Sequence, residues 1–168
     1  ELVRIFHGHA DERWARRIAR MIVQRRTTRP IRTGRELAAV VCEAIPRGAW
    51  PPKIHPATRV FLALRIEVNQ EYRKIEEALP MAFDLLKPGG RMAVISFHSG
   101  EDRRVKEFMR RMTQPEPAPW PLPQSAGKPA RARALTRKPV EAGEDEVRAN
   151  PRSRSARLRA IEKLPNAG

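Results

Sequence analysis

The sequence predicts an α/β fold, mostly helical, and three observations carry that prediction. Apolar residues recur at three- and four-residue spacing through most of the first half of the chain, as in amphipathic helices. A Pro88-Gly89-Gly90 turn is followed by a short, nearly all-apolar run, Arg91-Met92-Ala93-Val94-Ile95-Ser96-Phe97, whose length and bounding glycines favour a buried strand. Beyond it, Val105, Phe108, Met109 and Met112 restore helical spacing. Helix, turn, buried strand, helix is the order of a piece of a parallel α/β sheet.

The elements follow in order. From Asp11 onward, Trp14, Ile18 and Ile22 recur every four residues, while Arg13, Arg16, Arg17 and Arg20 fall largely on other faces. This helix has one apolar and one basic side. Thr27-Thr28-Arg29-Pro30 closes it. Thr33-Gly34-Arg35-Glu36 reads as a capping box for a second helix with Leu37, Val40, Val41 and Ile45 on its core face. Ile45-Pro46-Arg47-Gly48 and Trp50-Pro51-Pro52 form a rigid loop, because proline lacks the helix N–H and restricts the residue before it. Phe61, Leu64, Val68, Tyr72, Ile75, Leu79, Ala82 and Leu86 then predict one long helix over 57–86, kinked or broken near Ala78 by Pro80. After the strand, Ser99 stands three residues before Asp102 and is expected to cap the next helix.

Prolines at 115, 117, 119, 121, 123 and 129 mark residues 113–134 as an extended, flexible loop. The runs 134–140 and 156–162 each alternate apolar and polar residues and can pair as a terminal antiparallel hairpin, although the second also reads as a short helix.

Lys and Arg number 34 against 19 Asp and Glu in 168 residues, a formal charge of +15 that makes a polyanion the first partner to consider. With 40% hydrophobic residues the chain can still bury an ordinary core. A single cysteine, Cys42, excludes a disulfide scaffold and a multi-Cys zinc site, and suits a reducing compartment. No run approaches the roughly 20 apolar residues that span a bilayer, and Glu1-Leu2-Val3-Arg4 has neither an initiator Met nor a signal-peptide core. A cytoplasmic, soluble and incomplete chain is expected.

The densest polar cluster, Ser96-Phe97-His98-Ser99-Gly100-Glu101-Asp102-Arg103, lies just beyond a strand's carboxyl end and at the next helix N-terminus, where open α/β sheets bind ligands. Its structural alternative is helix capping, with Glu101 and Asp102 complementing the dipole. His55-Pro56-Ala57-Thr58-Arg59 places Arg59 where it can grip a phosphate or pair with a carboxylate, and Asn69 lies farther along. His7 and His9 lack a third ligand for a metal site, and no metal is expected. Arg13, Arg16, Arg17, Arg20, Arg25 and Arg26, with Arg152, Arg154, Arg157 and Arg159, are together better explained by phosphate contact than by solvation alone. Aromatic residues are too few for a stacking platform, though Trp14, Trp50 and Phe97 can each stack on one base.

Three stretches, His55 through Asn69, Leu86 through Arg103 and Asn150 through Arg159, together resemble the bacterial 16S rRNA cytosine-N4 methyltransferase family, RsmH or MraW. The resemblance runs from near Glu1 to about Lys163, with the Pro-rich segment as its variable part. It implies a class I, Rossmann-like methyltransferase fold that uses S-adenosyl-L-methionine and carries an inserted helical subdomain. Residues 1–71 would then be part of the rRNA-recognition insert, and residues 72–168 the C-terminal part of the core. Within this frame Ser96, His98 and Asp102 are the candidate catalytic residues, supplying acceptors to the cytosine amine. Arg59, Asn69, Phe97, Ser99, Arg103, Arg152, Arg16, Arg17 and Arg20 are the candidate contacts to 16S rRNA in the small ribosomal subunit. A homodimer is compatible with this reading.

The chain departs from the family in two ways. Family members commonly carry leucine where Gly100 stands, and the family's glycine-rich cofactor loop and ribose-binding acid belong to an N-terminal half with no counterpart here. The expected function is therefore N4-methylation of an rRNA cytosine by a protein of which this chain is the C-terminal half, inactive alone. The alternative is a non-enzymatic, basic rRNA-binding or ribosome-assembly module.

Overall fold

The computed structural model describes residues 1–118, 120 and 127–165, which belong to two units, Glu1–Glu71 and Tyr72–Gly168. The first unit is helical. A helix that the sequence pattern did not announce, α1 (Leu2–Ala10), ends at Asp11 in the left-handed region (φ 48°), a conformation that Asp tolerates better than most residues. Then come α2 (Ala15–Thr28), α3 (Gly34–Ala44), a 3₁₀ turn (Arg47–Ala49) and α4 (Thr58–Asn69). Helix α1 packs on α4, and α2 packs on α3. Their shared core contains Phe6, Ile18, Ile22, Val40, Val41 and Val60. Arg13, Arg16, Arg17 and Arg20 lie exposed, as the amphipathic pattern requires. The capping box forms: the Thr33 hydroxyl accepts from Glu36 N–H (3.2 Å) while Glu36 accepts from Thr33 N–H (3.0 Å).

The predicted long helix is two helices, and it does not break at proline. Helix α5 (Glu71–Asp84) carries Pro80 inside it, and the interruption falls at Gln70, left-handed at φ 52°. The phase of burial explains this. Helix α4 buries Val60, Ala63 and Ile66, whereas Phe61 and Val68 are exposed; α5 buries Tyr72, Leu79 and Phe83. Ile66 and Tyr72 are six residues apart, roughly 240° around a continuous helix, so the two buried stripes are not one face. Because α4 is apolar on nearly every side, the sequence offered two stripes, and the continuous one was the wrong one.

The second unit holds the rest of α5, then β1 (Arg91–Ser96), α6 (Ser99–Thr113), β2 (Ala132–Ala134), β3 (Val140–Glu141), α7 (Glu144–Ala149), a 3₁₀ turn (Pro151–Ser155) and β4 (Arg157–Lys163). The sheet order is β1-β4-β2, with β3 also on β4, and every strand pair among the described residues is antiparallel. The expected parallel pairing is thus corrected. Strands β1 and β2, joined through α6, run in the same direction, but β4 enters between them in the opposite sense.

Strand β1 is one-sided rather than buried. Met92 and Val94 face the core, where β4 contributes Ile161, while Ala93 and Ile95 are exposed. The run 156–162 is a strand, which settles its two readings. The run 134–140 is not one continuous strand: β2 and β3 pair with β4 at its two ends, and between them Leu135 and Thr136 hydrogen-bond Ala160.

The core of this unit gathers Leu79, Phe83, Val105, Phe108, Met109, Ala132 and Ile161, and Phe83 meets Phe108 edge-on at 6.1 Å. Gly89 (φ 78°) makes the turn into β1, where its N–H donates to the Lys163 carbonyl (2.8 Å). The Lys163 ammonium in turn caps the end of α5, donating to the carbonyls of Phe83, Asp84 and Leu86. In the Pro-rich segment, Glu116 bridges Lys128, and residues 119 and 121–126 lie outside the described residues. No helix among the described residues is long and apolar enough to cross a membrane.

Candidate functional site

Strand β1 delivers the polar cluster to the start of α6, and the cap there is His98, not Ser99. His98 Nδ1 accepts from Glu101 N–H (3.4 Å), while the Glu101 carboxylate accepts from the N–H groups of Phe97 (2.8 Å) and His98 (3.3 Å). Imidazole nitrogen takes the place usually filled by a Ser, Asp or Asn oxygen. Ser99 is the first helical residue. With Nδ1 used as an acceptor, the neutral ring carries its proton on Nε2. That atom is buried and has no hydrogen-bond partner; Glu101 Oε1 lies 3.3 Å away without hydrogen-bond alignment.

Beneath the cap lies an ion-pair network. Asp102 Oδ1 and Oδ2 accept from Arg159 Nε (2.7 Å) and Nη2 (3.0 Å), and Arg157 Nη1 approaches Oδ2 at 3.6 Å. The hydrogen bond from Arg159 is the main reason that the Asp102 carboxyl is held below its ordinary range, against the opposing effect of burial; Asp102 raises Arg159 in return. Ser96 is buried, and its hydroxyl donates to the Arg157 carbonyl (3.4 Å). Ser96 and Asp102 thus fasten the ends of β1 and α6 to β4.

Above this network is a cleft of about 320 Å³ lined by Phe97, His98, Ser99, Glu141, Arg154, Ser155, Ala156 and Arg157. The 3₁₀ turn aims its second wall. Asn150 Oδ1 accepts from Arg152 N–H (3.2 Å), and the buried Ser153 donates its hydroxyl to the Asn150 carbonyl (2.8 Å). The cleft therefore joins two of the three sequence stretches singled out above. A larger cleft of about 670 Å³, between Arg111–Pro117 and Lys128–Arg131, contains none of these residues.

Of the candidate site residues, Phe97, His98 and Ser99 line the cleft, and Phe97 is 56% exposed. Arg103 and Arg152 are exposed nearby in sequence but do not line it. Ser96 and Asp102 lie in the network beneath it, and the remaining five lie in the first unit: Arg16, Arg17 and Arg20 on α2, Arg59 with Nη1 donating to the Asp11 carbonyl (3.4 Å), and Asn69 with its amide donating to Glu71 (3.4 Å). His9 pairs with Glu67, and that hydrogen bond is the largest cause of the lowered Glu67 carboxyl. Sequence reasoning read Arg154 and Arg157 only as part of a basic run. It missed Glu141 altogether, because a single acid at the end of a two-residue strand carries no signal.

The MraW methylase family model matches residues 1–164. This chain belongs to that family. Ribosomal RNA small subunit methyltransferase H of Geobacter sulfurreducens is 53% identical over 165 residues, covering 98% of this chain and 53% of its own length. The proteins of the same name from Syntrophotalea carbinolica and Geobacter sp. M21 are 55% and 52% identical, over 98% of this chain and 52% and 53% of theirs. The chain thus spans about half the length of the curated MraW relatives that it matches.

Proposed function

We propose that this chain is the substrate-side half of an S-adenosyl-L-methionine-dependent enzyme that methylates N4 of a cytosine in 16S rRNA, in the cytoplasm. The carrying observation is the cleft, which brings an exposed aromatic ring, the His98 imidazole and two arginines around a space at the lower end of ligand-pocket sizes. The relatives' name supplies the reaction class. A class I, Rossmann-like core with a helical insert is the fold we assign, supported by β1 and β2 running alike on either side of an opposed β4.

Cytosine N4 is a poor nucleophile because its lone pair is delocalised into the ring, so catalysis rests on alignment and on an acceptor for its N–H. An extruded base stacks on Phe97. The His98 ring forms part of the cleft wall against which the base packs, while its buried Nε2 faces Glu101. Ser99 and Glu141 are the cleft's acceptors for N4–H, and Arg154 and Arg157 hold the adjoining phosphate. Asp102 and Ser96 become positioning residues: both Asp102 oxygens already serve Arg159, and Ser96 holds the backbone of Arg157. Arg16, Arg17, Arg20, Arg59, Asn69, Arg103 and Arg152 contact the flanking RNA.

The residues described here do not form a cradle for the cofactor. The turn after β1 is occupied by the His98–Glu101 cap. We assign the cofactor to the half of the relatives that this chain does not match.

The test joins this chain behind the upstream half of the Geobacter sulfurreducens relative and supplies 16S rRNA and S-adenosylmethionine. Mass spectrometry should find N4-methylcytosine at one position. Tight RNA binding without methyl transfer would instead favour the non-enzymatic rRNA-binding reading.

A further inference from the structure

Gly100, the second residue of α6, is buried, and a Cβ added there would lie 1.9 Å from the Tyr72 hydroxyl oxygen and 2.7 Å from the ring carbon that bears it. The tyrosine ring therefore occupies the volume that a side chain at position 100 would fill. It is not free to withdraw. The Arg104 guanidinium lies over the ring at 3.3 Å, and Arg104 is itself held by Glu76 (3.0 Å) and by the Gly100 carbonyl (3.0 Å). The same ring lies beside the His98 imidazole, with centroids 6.0 Å apart and planes tilted by 46°.

A histidine needs such a wall. Rotation about its second side-chain torsion is soft, and the single bond to Nδ1, at 3.4 Å, is long. We propose that Tyr72 is a positioning residue for His98: seated in the space left by Gly100 and clamped by Arg104, its ring fixes the plane of the imidazole that contacts the base. Glycine weakens the first turn of a helix, and the tyrosine contact gives that weakness a purpose. The geometric part stands on the contacts alone, while the catalytic consequence rests on the function proposed above. A leucine at position 100 would refill the volume that the Tyr72 ring leaves when it is shortened, so the two positions can be exchanged as a pair.

The experiment compares Gly100→Ala, Tyr72→Phe, Tyr72→Leu and the double variant Tyr72→Leu/Gly100→Leu. The His98 ring orientation is read from ring-to-backbone NOEs in the 168-residue chain, and single-turnover methylation is measured in the joined protein. Gly100→Ala and Tyr72→Leu should each reorient the ring and lower the turnover rate by about tenfold to a hundredfold, with half-saturation by RNA within about twofold. Tyr72→Phe separates the contribution of the ring from that of the hydroxyl, and the double leucine variant should recover both readouts. If Gly100→Ala fails to fold, Tyr72→Leu, which creates no overlap, gives the same comparison. An unchanged His98 orientation in Tyr72→Leu would overturn the proposal, as would a reoriented ring with undiminished turnover. If wild-type joined protein transfers no methyl group, the functional reading fails, and the NOEs still decide whether Tyr72 positions His98.

Discussion

Replacing Asp102 with Asn keeps the side chain's shape and one carbonyl acceptor but removes the charge that answers Arg159. The two side chains are only 9% and 12% exposed, so the stranded guanidinium has little access to water. Removing one partner of a buried pair costs about 3–5 kcal/mol. The retained acceptor, and an Arg157 that is 45% exposed, bring this to roughly 2–3 kcal/mol. A chain of this length loses about 2–4 °C of melting temperature per kcal/mol, so a fall of roughly 4–12 °C is expected at neutral pH.

The pH dependence follows from the direction of the shift. The folded Asp102 carboxyl is held below its ordinary value of 3.8, so its stabilisation is full above that value and is lost as the pH falls through the depressed folded one. The gap between wild type and Asp102→Asn should therefore be widest near neutrality and close below about pH 4. Thermal melts followed by circular dichroism across this range measure it. Equal melting temperatures at neutral pH, or a gap that persists undiminished in acid, would refute the reasoning.

Three further outcomes are expected. Replacing Arg16, Arg17 and Arg20 together with Ala should weaken binding to structured rRNA and reduce the slope of log affinity against log salt by about 2–3, whereas an unchanged slope would make the basic face merely solubilising. In urea unfolding, His98→Ala should lose about 1 kcal/mol and Ser99→Ala much less, because the imidazole and not the hydroxyl caps α6; the reverse order would contradict the capping geometry. Phe97→Ala should change stability by less than about 0.5 kcal/mol, since the ring is exposed, yet weaken a short cytosine-containing RNA by about 1–3 kcal/mol in calorimetry.

What the sequence made legible was local. The Thr33–Glu36 capping box and the apolar faces of α2, α3 and α6 depend on spacings within a few residues and formed as read, and the bounded run became strand β1, though a one-sided one. What it hid was decided by distant partners. The antiparallel β4 inserts beside β1 from more than sixty residues away, where parallel pairing was expected. The helix break at Gln70 answers two different cores, while Pro80 is accommodated inside α5. At the site, the strand-end cluster was visible, but the occupation of Asp102 by Arg159 and the seating of Tyr72 against Gly100 were not, because neither pairing leaves a mark in local spacing.

The central claim, that the cleft between Phe97-His98-Ser99 and Arg154-Arg157 receives a cytosine nucleotide, is tested most directly by titrating a short single-stranded RNA with one central cytosine into the isotope-labelled 168-residue chain. The account predicts saturable shifts concentrated on Phe97, His98, Ser99, Glu141, Arg154 and Arg157, abolished by Arg154→Ala/Arg157→Ala and weaker for the same RNA with uracil at that position. Shifts confined to other residues, or identical for the two RNAs, would contradict it.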